Sequence, residues 1–306
     1  MTALINTIQQ WQWQGQSIAY EQAGEAGPAL VLIHGFGASS FHWRKNLAVL
    51  GQTHRVYAVD LLGFGRSAKP TPNQPLSYTF ETWGQQILDF CRDIVQGPAF
   101  LVGNSIGCIV ALQAAVTQPK TVQGLVLLNC SLRLLHDRKR QSLPWYRSVG
   151  TPIIQSLLGI KPIGQSFFQS LAKAKVVDRV LRQAYGRKAE VTPELVEALV
   201  EPSRDPGAVE VFLAFVRYSQ GPLPEDLLPQ VSCPVLVLWG AEDPWEPIDL
   251  GRNLAAVPQV EHFIPLPGVG HCPQDEAPEL VNPLVRDWTL KKARSRSPFW
   301  ELAPRT

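Results

Sequence analysis

The chain is 306 residues long, 45% hydrophobic and 18% charged, and its 28 Lys and Arg against 26 Asp and Glu leave a net charge of +2. So even a balance lacks the cationic excess that draws a protein onto a phosphate backbone, so no nucleic-acid partner is expected, and the apolar fraction is too high for a disordered chain. Five cysteines, odd in number and without a C-x-x-C pair, suit a reducing compartment better than a disulfide framework. Residues 1–14 carry no basic-then-apolar leader, and no apolar run approaches the roughly 20 residues that span a bilayer, so a cytoplasmic location is expected.

Residues 11–14 and 16–21 alternate in polarity around Gly15, the pattern of a hairpin. Ala29–Ile33 is a continuous apolar run, as in a strand covered on both faces. Strands are likewise predicted at residues 55–60, 99–102, Val122–Leu128, 234–238 and 260–265, each ending in or followed by Gly, Asp, Asn or His. Between them, residues 82–95, 105–117 and 276–290 repeat apolar positions at helical spacing. Strands alternating with helices predict an α/β fold, with a mostly parallel central sheet flanked by helices on both faces.

Residues 131–231 break the alternation and read as helices punctuated by prolines, an inserted helical cap. The core is then residues 1–130 and 232–290. The cap is apolar beyond what one amphipathic face requires; Trp145 and Phe168 are its candidate substrate contacts, and a membrane-facing surface is the other use of such residues. Residues 291–306, with Lys291, Lys292, Arg294 and Arg296, read as a basic solvated tail, a second place where peripheral membrane contact is left open.

Gly103-Asn104-Ser105-Ile106-Gly107 is a G-x-S-x-G motif between a predicted strand and a predicted helix. Glycines at 103 and 107 permit a turn so tight that it lifts the Ser105 hydroxyl clear of the sheet. A serine hydroxyl is a weak nucleophile and needs a base, itself oriented by an acid. His271, on the loop leaving the last strand, is the candidate base; His34 sits at a strand end where it shapes the turn, and His42, His54, His136 and His262 lie in helix, strand or basic contexts. Asp243 follows a strand and falls between Ser105 and His271 in chain order; Glu242 is its neighbour and rival, and Asn129, at the preceding strand's end, carries no charge. An oxyanion hole needs two backbone N–H groups, for which Ile106 and Phe36, in His34-Gly35-Phe36-Gly37, are the candidates. No cluster has metal-ligand spacing, and no metal or cofactor is expected.

Together, His34-Gly35-Phe36-Gly37, Asp60 through Ser67, the Ser105 motif, Asp243 and His271 resemble the α/β-hydrolase superfamily. The resemblance implies a bracing role for Asp60 and Arg66. Residues 242–247 and 270–276 are similar to the pheophytinase and chlorophyll dephytylase branch, which implies hydrolysis of the isoprenoid ester of a chlorophyll-type pigment. The expectation is a serine-triad carboxylic ester hydrolase acting on a small hydrophobic ester through an acyl-enzyme. A carbon–carbon bond hydrolase of the meta-cleavage-product type and a slow or non-catalytic ligand receptor on the same fold are the alternatives.

Overall fold

The computed structural model describes residues 8–134, 136–140 and 161–296; Trp145 and the apolar run at 143–160 lie outside them. Eight strands form one sheet: β1 Gln9–Trp13, β2 Gln16–Ala23, β3 Ala29–Ile33, β4 Arg55–Val59, β5 Ala99–Asn104, β6 Val122–Leu128, β7 Val235–Gly240 and β8 Val260–Leu266. Their order is β1-β2-β4-β3-β5-β6-β7-β8, and β2 alone runs against its neighbours.

Period-two alternation in the strands builds two cores. Val31 and Ile33 of β3 join Leu101 of β5 on one face, while Leu30, Leu32, Phe100 and Val102 fill the other. Each such side chain contributes about 1.5–3 kcal/mol on burial, which is why β3, at the centre of the sheet, carries no polar position. Helix α1, Phe80–Phe90, starts two residues before the predicted segment because the Thr79 hydroxyl accepts from the Thr82 amide at 3.3 Å; a π turn, Cys91–Val95, completes it. Helix α2, Ile106–Thr117, is apolar on all sides, as a helix enclosed by the fold must be.

Between β6 and β7 the described helices are chiefly α3 Lys161–Leu171, α4 Ala174–Ala184, α5 Pro193–Val200 and α6 Ala208–Arg217. Leu181 and Ala184 of α4 pack with Leu195 and Val196 of α5 in a small separate core, against which Phe41 rests. The last helix, α7 Pro278–Arg296, differs from expectation at both ends. A short turn, Pro273–Glu276, precedes it, and residues 291–296 continue the helix where a solvated tail was expected. Tertiary contacts explain the extension: Glu261 of β8 accepts from Trp288 Nε1 at 3.1 Å and pairs with Lys292.

The fold also dictates where a site can form. β3 lies between β4 and β5, so successive connections leave it in opposite directions and open a crevice beyond the carboxyl ends of β3 and β5. His34 and Ser105 stand at those two ends. The turn there is sterically exacting: a Cβ on Gly103 would lie 2.5 Å from the Gly107 carbonyl carbon, and one on Gly107 would collide with the Ile33 carbonyl oxygen. Gly103→Ala should cost about 1–3 kcal/mol through overpacking, read as a fall of several degrees in Tm. An unchanged Tm would show that the turn has slack.

Candidate active site

Ser105 follows β5 and precedes α2 with φ 56° and ψ −119°, a conformation that strains a side-chain-bearing residue by about 1–3 kcal/mol. The turn is tied down by Ser105 N donating to Leu128 O at 3.1 Å and Ser131 N donating to Ser105 O at 3.2 Å. Among the described residues its hydroxyl has no hydrogen-bond partner, and the residue is 9% exposed. The strain therefore holds up a group free to react.

His271 Nδ1 lies 2.7 Å from Asp243 Oδ2. Because a carboxylate only accepts, Nδ1 carries the proton and Nε2 keeps its lone pair. Asp243 is saturated: Oδ1 accepts from the amides of Trp245 at 2.8 Å and Glu246 at 3.1 Å, and Oδ2 also accepts from Asn129 Nδ2 at 2.7 Å. Burial works against its charge, yet the bonds from His271, Asn129 and the Glu246 amide hold the carboxyl below the ordinary aspartate value. The Trp245 ring packs edge-on against the imidazole, centroids 4.9 Å apart. Asn104 Nδ2 donates to His271 O at 3.0 Å, joining the histidine loop to the residue beside Ser105. The structure closes the Asp243–His271 bond and not the one from Ser105 to the imidazole, a contact that commonly tightens only when substrate binds.

The amides of Phe36 and Ile106 have no acceptor among the described residues. Gly35 brings its loop close to the nucleophile, since a Cβ there would stand 3.2 Å from Ser105 Cβ. His34 has both nitrogens occupied, Nδ1 donating to Gly35 O at 2.7 Å and Nε2 accepting from Leu61 N at 3.0 Å. Burial lowers its pKa and no lone pair is left for a base. Asp60 braces two loops, accepting from Ser40 N at 2.6 Å and Arg66 N at 2.7 Å. The Phe36 ring stacks on Phe215 of α6 at 4.4 Å and contacts Phe64 and Phe212; Phe168 reaches this aromatic wall through Phe212, 5.2 Å away. A separate cavity of about 500 Å³, lined by Tyr78, Leu213, Ala214 and Arg217 among others, contains none of Ser105, Asp243 and His271.

Three residues escaped the sequence reading. Asn129, set aside for lacking charge, orients Asp243 with Nδ2 and accepts from Gly240 N at 2.8 Å with Oδ1. Glu276 accepts from Gly270 N at 2.9 Å and Cys272 N at 3.0 Å, the amides flanking His271, and from Arg187 N beyond α4 at 3.1 Å. His271 N itself donates to Ala184 O of α4 at 2.9 Å, so α4 also holds the histidine turn. Glu246 is 8% exposed, and burial pushes its carboxyl up to about 7 despite a bond from Leu132 N at 3.0 Å. Chain spacing offered one signal, an acid three and five residues after Asp243 and His271 respectively.

The fold and this site define a hydrolase class: the chain belongs to the Alpha/beta hydrolase family, whose model matches residues 30–284. It is 27% identical to chloroplastic pheophytinase of Arabidopsis thaliana, an alignment covering 89% of this chain and 63% of that protein. It is 28% identical to an uncharacterized hydrolase of Bacillus subtilis, covering 93% of this chain and 98% of that one. Among solved structures, a serine hydrolase involved in carbazole degradation matches with a TM-score of 0.72 over 95% of this chain and 100% of that one at 20% identity, a likeness of fold. No helix among the described residues is long and apolar enough to cross a membrane.

The buried acids yield a pH prediction. Between the ordinary glutamate value of 4.5 and about 7, folded Glu246 keeps a proton that the unfolded chain has lost, so its contribution to stability fades as pH rises through that window. The Tm of Glu246→Gln, relative to the parent, should therefore climb from about pH 5 to about pH 7.5. A pH-independent difference would contradict the raised value.

Proposed function

We propose that the protein hydrolyses carboxylic esters bearing a large apolar group, through an acyl-enzyme on Ser105. The observation that carries this reading is the Nδ1-to-Asp243 bond of 2.7 Å, which leaves the Nε2 lone pair available as a base for the free hydroxyl of Ser105. Nε2 takes the Ser105 proton as Oγ attacks the ester carbonyl; the carbonyl π pair moves to oxygen, where the amides of Phe36 and Ile106 receive it. Collapse expels the alkoxide, which takes the proton from the imidazolium. Water, deprotonated by Nε2, then attacks the acyl-enzyme; the acid departs as Ser105 Oγ leaves and takes the proton back from the imidazolium. Each oxyanion donor of this kind contributes about 2.7–4 kcal/mol to lowering the barrier.

Two observations support an apolar alcohol or acyl group. The wall of Phe36, Phe64, Phe212 and Phe215 stands at the oxyanion loop, and the relative named for pheophytin matches along most of this chain. The phytyl ester of a chlorophyll-type pigment fits both. A serine at position 105, rather than an aspartate, disfavours epoxide or haloalkane opening, which needs a carboxylate nucleophile.

A fluorophosphonate should label Ser105, and Ser105→Ala should fold normally while losing ester turnover by about 10⁴-fold or more. Substantial turnover in that variant refutes the triad. Phe212→Ala should raise KM for a long-chain or phytyl ester about tenfold while leaving an acetyl ester within about twofold. Turnover of a dienone acid in preference to every ester would assign the carbon–carbon hydrolase instead.

A further inference from the structure

Glu246 has no part in the proton path just described, yet it is buried beside it and its contacts run to Asp243 and to the segment that holds the Ser105 backbone. Its amide donates to Asp243 Oδ1 at 3.1 Å, and its carbonyl oxygen accepts from Trp239 Nε1 of β7 at 3.0 Å. Its carboxylate accepts from Leu132 N at 3.0 Å and has the Ser131 hydroxyl beside it. Ser131 N in turn donates to the carbonyl oxygen of Ser105 at 3.2 Å. Glu246 thus bridges the turn that carries the acid and the Ser131–Leu132 segment, whose Ser131 amide holds the Ser105 backbone, where β6 gives way to the cap.

We propose that Glu246 is a positioning residue, a clasp that sets the Asp243–His271 pair in register with Ser105. The proposal rests on the serine-triad reading. The charged or titratable groups facing Glu246 are Asp243 on its own loop, His271 on the loop after β8 and Cys130 at the end of β6. An ionised Glu246 favours a positive imidazole through space and opposes the Asp243 charge. The clasp itself is made of hydrogen bonds, so a glutamine in its place keeps an acceptor for Leu132 N.

The test measures the rate of fluorophosphonate capture and ester kinetics for the parent, Glu246→Ala, Glu246→Gln and Ser105→Ala, with circular dichroism to score folding. Glu246→Ala should lower kcat and the capture rate together by about 10- to 100-fold with KM within about twofold, because the loss lies in alignment and not in binding. Glu246→Gln should recover most of that rate. A folded Glu246→Ala with parental capture, or a folded Glu246→Gln as slow as Glu246→Ala, overturns the clasp while the triad stands. Ester turnover surviving Ser105→Ala overturns the triad reading itself. If Glu246→Ala fails to fold, Glu246→Met, which fills the site but offers Leu132 N no acceptor, takes its place in the comparison.

Discussion

The buried carboxylate of Asp243 is the constraint from which the site follows. Its four hydrogen bonds, to the amides of Trp245 and Glu246, the Asn129 side chain and His271, satisfy the charge with no Lys or Arg among the described residues. A cation in that place would compete with the imidazole for the carboxylate. Neutral donors stabilise the anion and leave one oxygen directed at Nδ1, so the tautomer of His271 is dictated by the geometry of its partner. Remove the alignment and the free hydroxyl of Ser105 is an ordinary serine.

Around this centre, buried acids recur as organisers of backbone. Glu276 gathers the amides on either side of His271, Asp60 gathers those of Ser40 and Arg66, and Glu246 holds Leu132. Loops at the carboxyl end of a parallel sheet have amide donors with no strand partner, and a carboxylate can satisfy several at once. That arrangement ties these loops to one another through hydrogen bonds. It also ties the end of α4 to the histidine loop: Ala184 O accepts from His271 N, and Arg187 N donates to Glu276.

Much of this was legible from one sequence because its causes are local. Glycines at 103 and 107 around Ser105 announce a tight turn wherever a strand meets a helix, and the apolar runs ending in Asp, Asn or His mark strand ends. What escaped depends on contacts across the fold. Asn129 was judged by its lack of charge, whereas its amide is useful as a donor to Asp243 more than 100 residues away in the chain. Glu276 sits in an acidic pair that reads equally well as solvated surface; only the folded loop shows its oxygens facing amides. Likewise the extension of α7 past residue 290 draws on Glu261 of a neighbouring strand, a partner no helical periodicity contains.

The most direct measurement is nitrogen and proton NMR of histidine-labelled protein near pH 8, which reads the proton on each ring nitrogen of His271. The account predicts a proton on Nδ1 and a bare Nε2, with the proton relocating to Nε2 in Asp243→Asn, whose amide can donate to Nδ1. An Nε2–H imidazole in the parent would contradict it, because the base would then point its hydrogen, and not its lone pair, toward the serine.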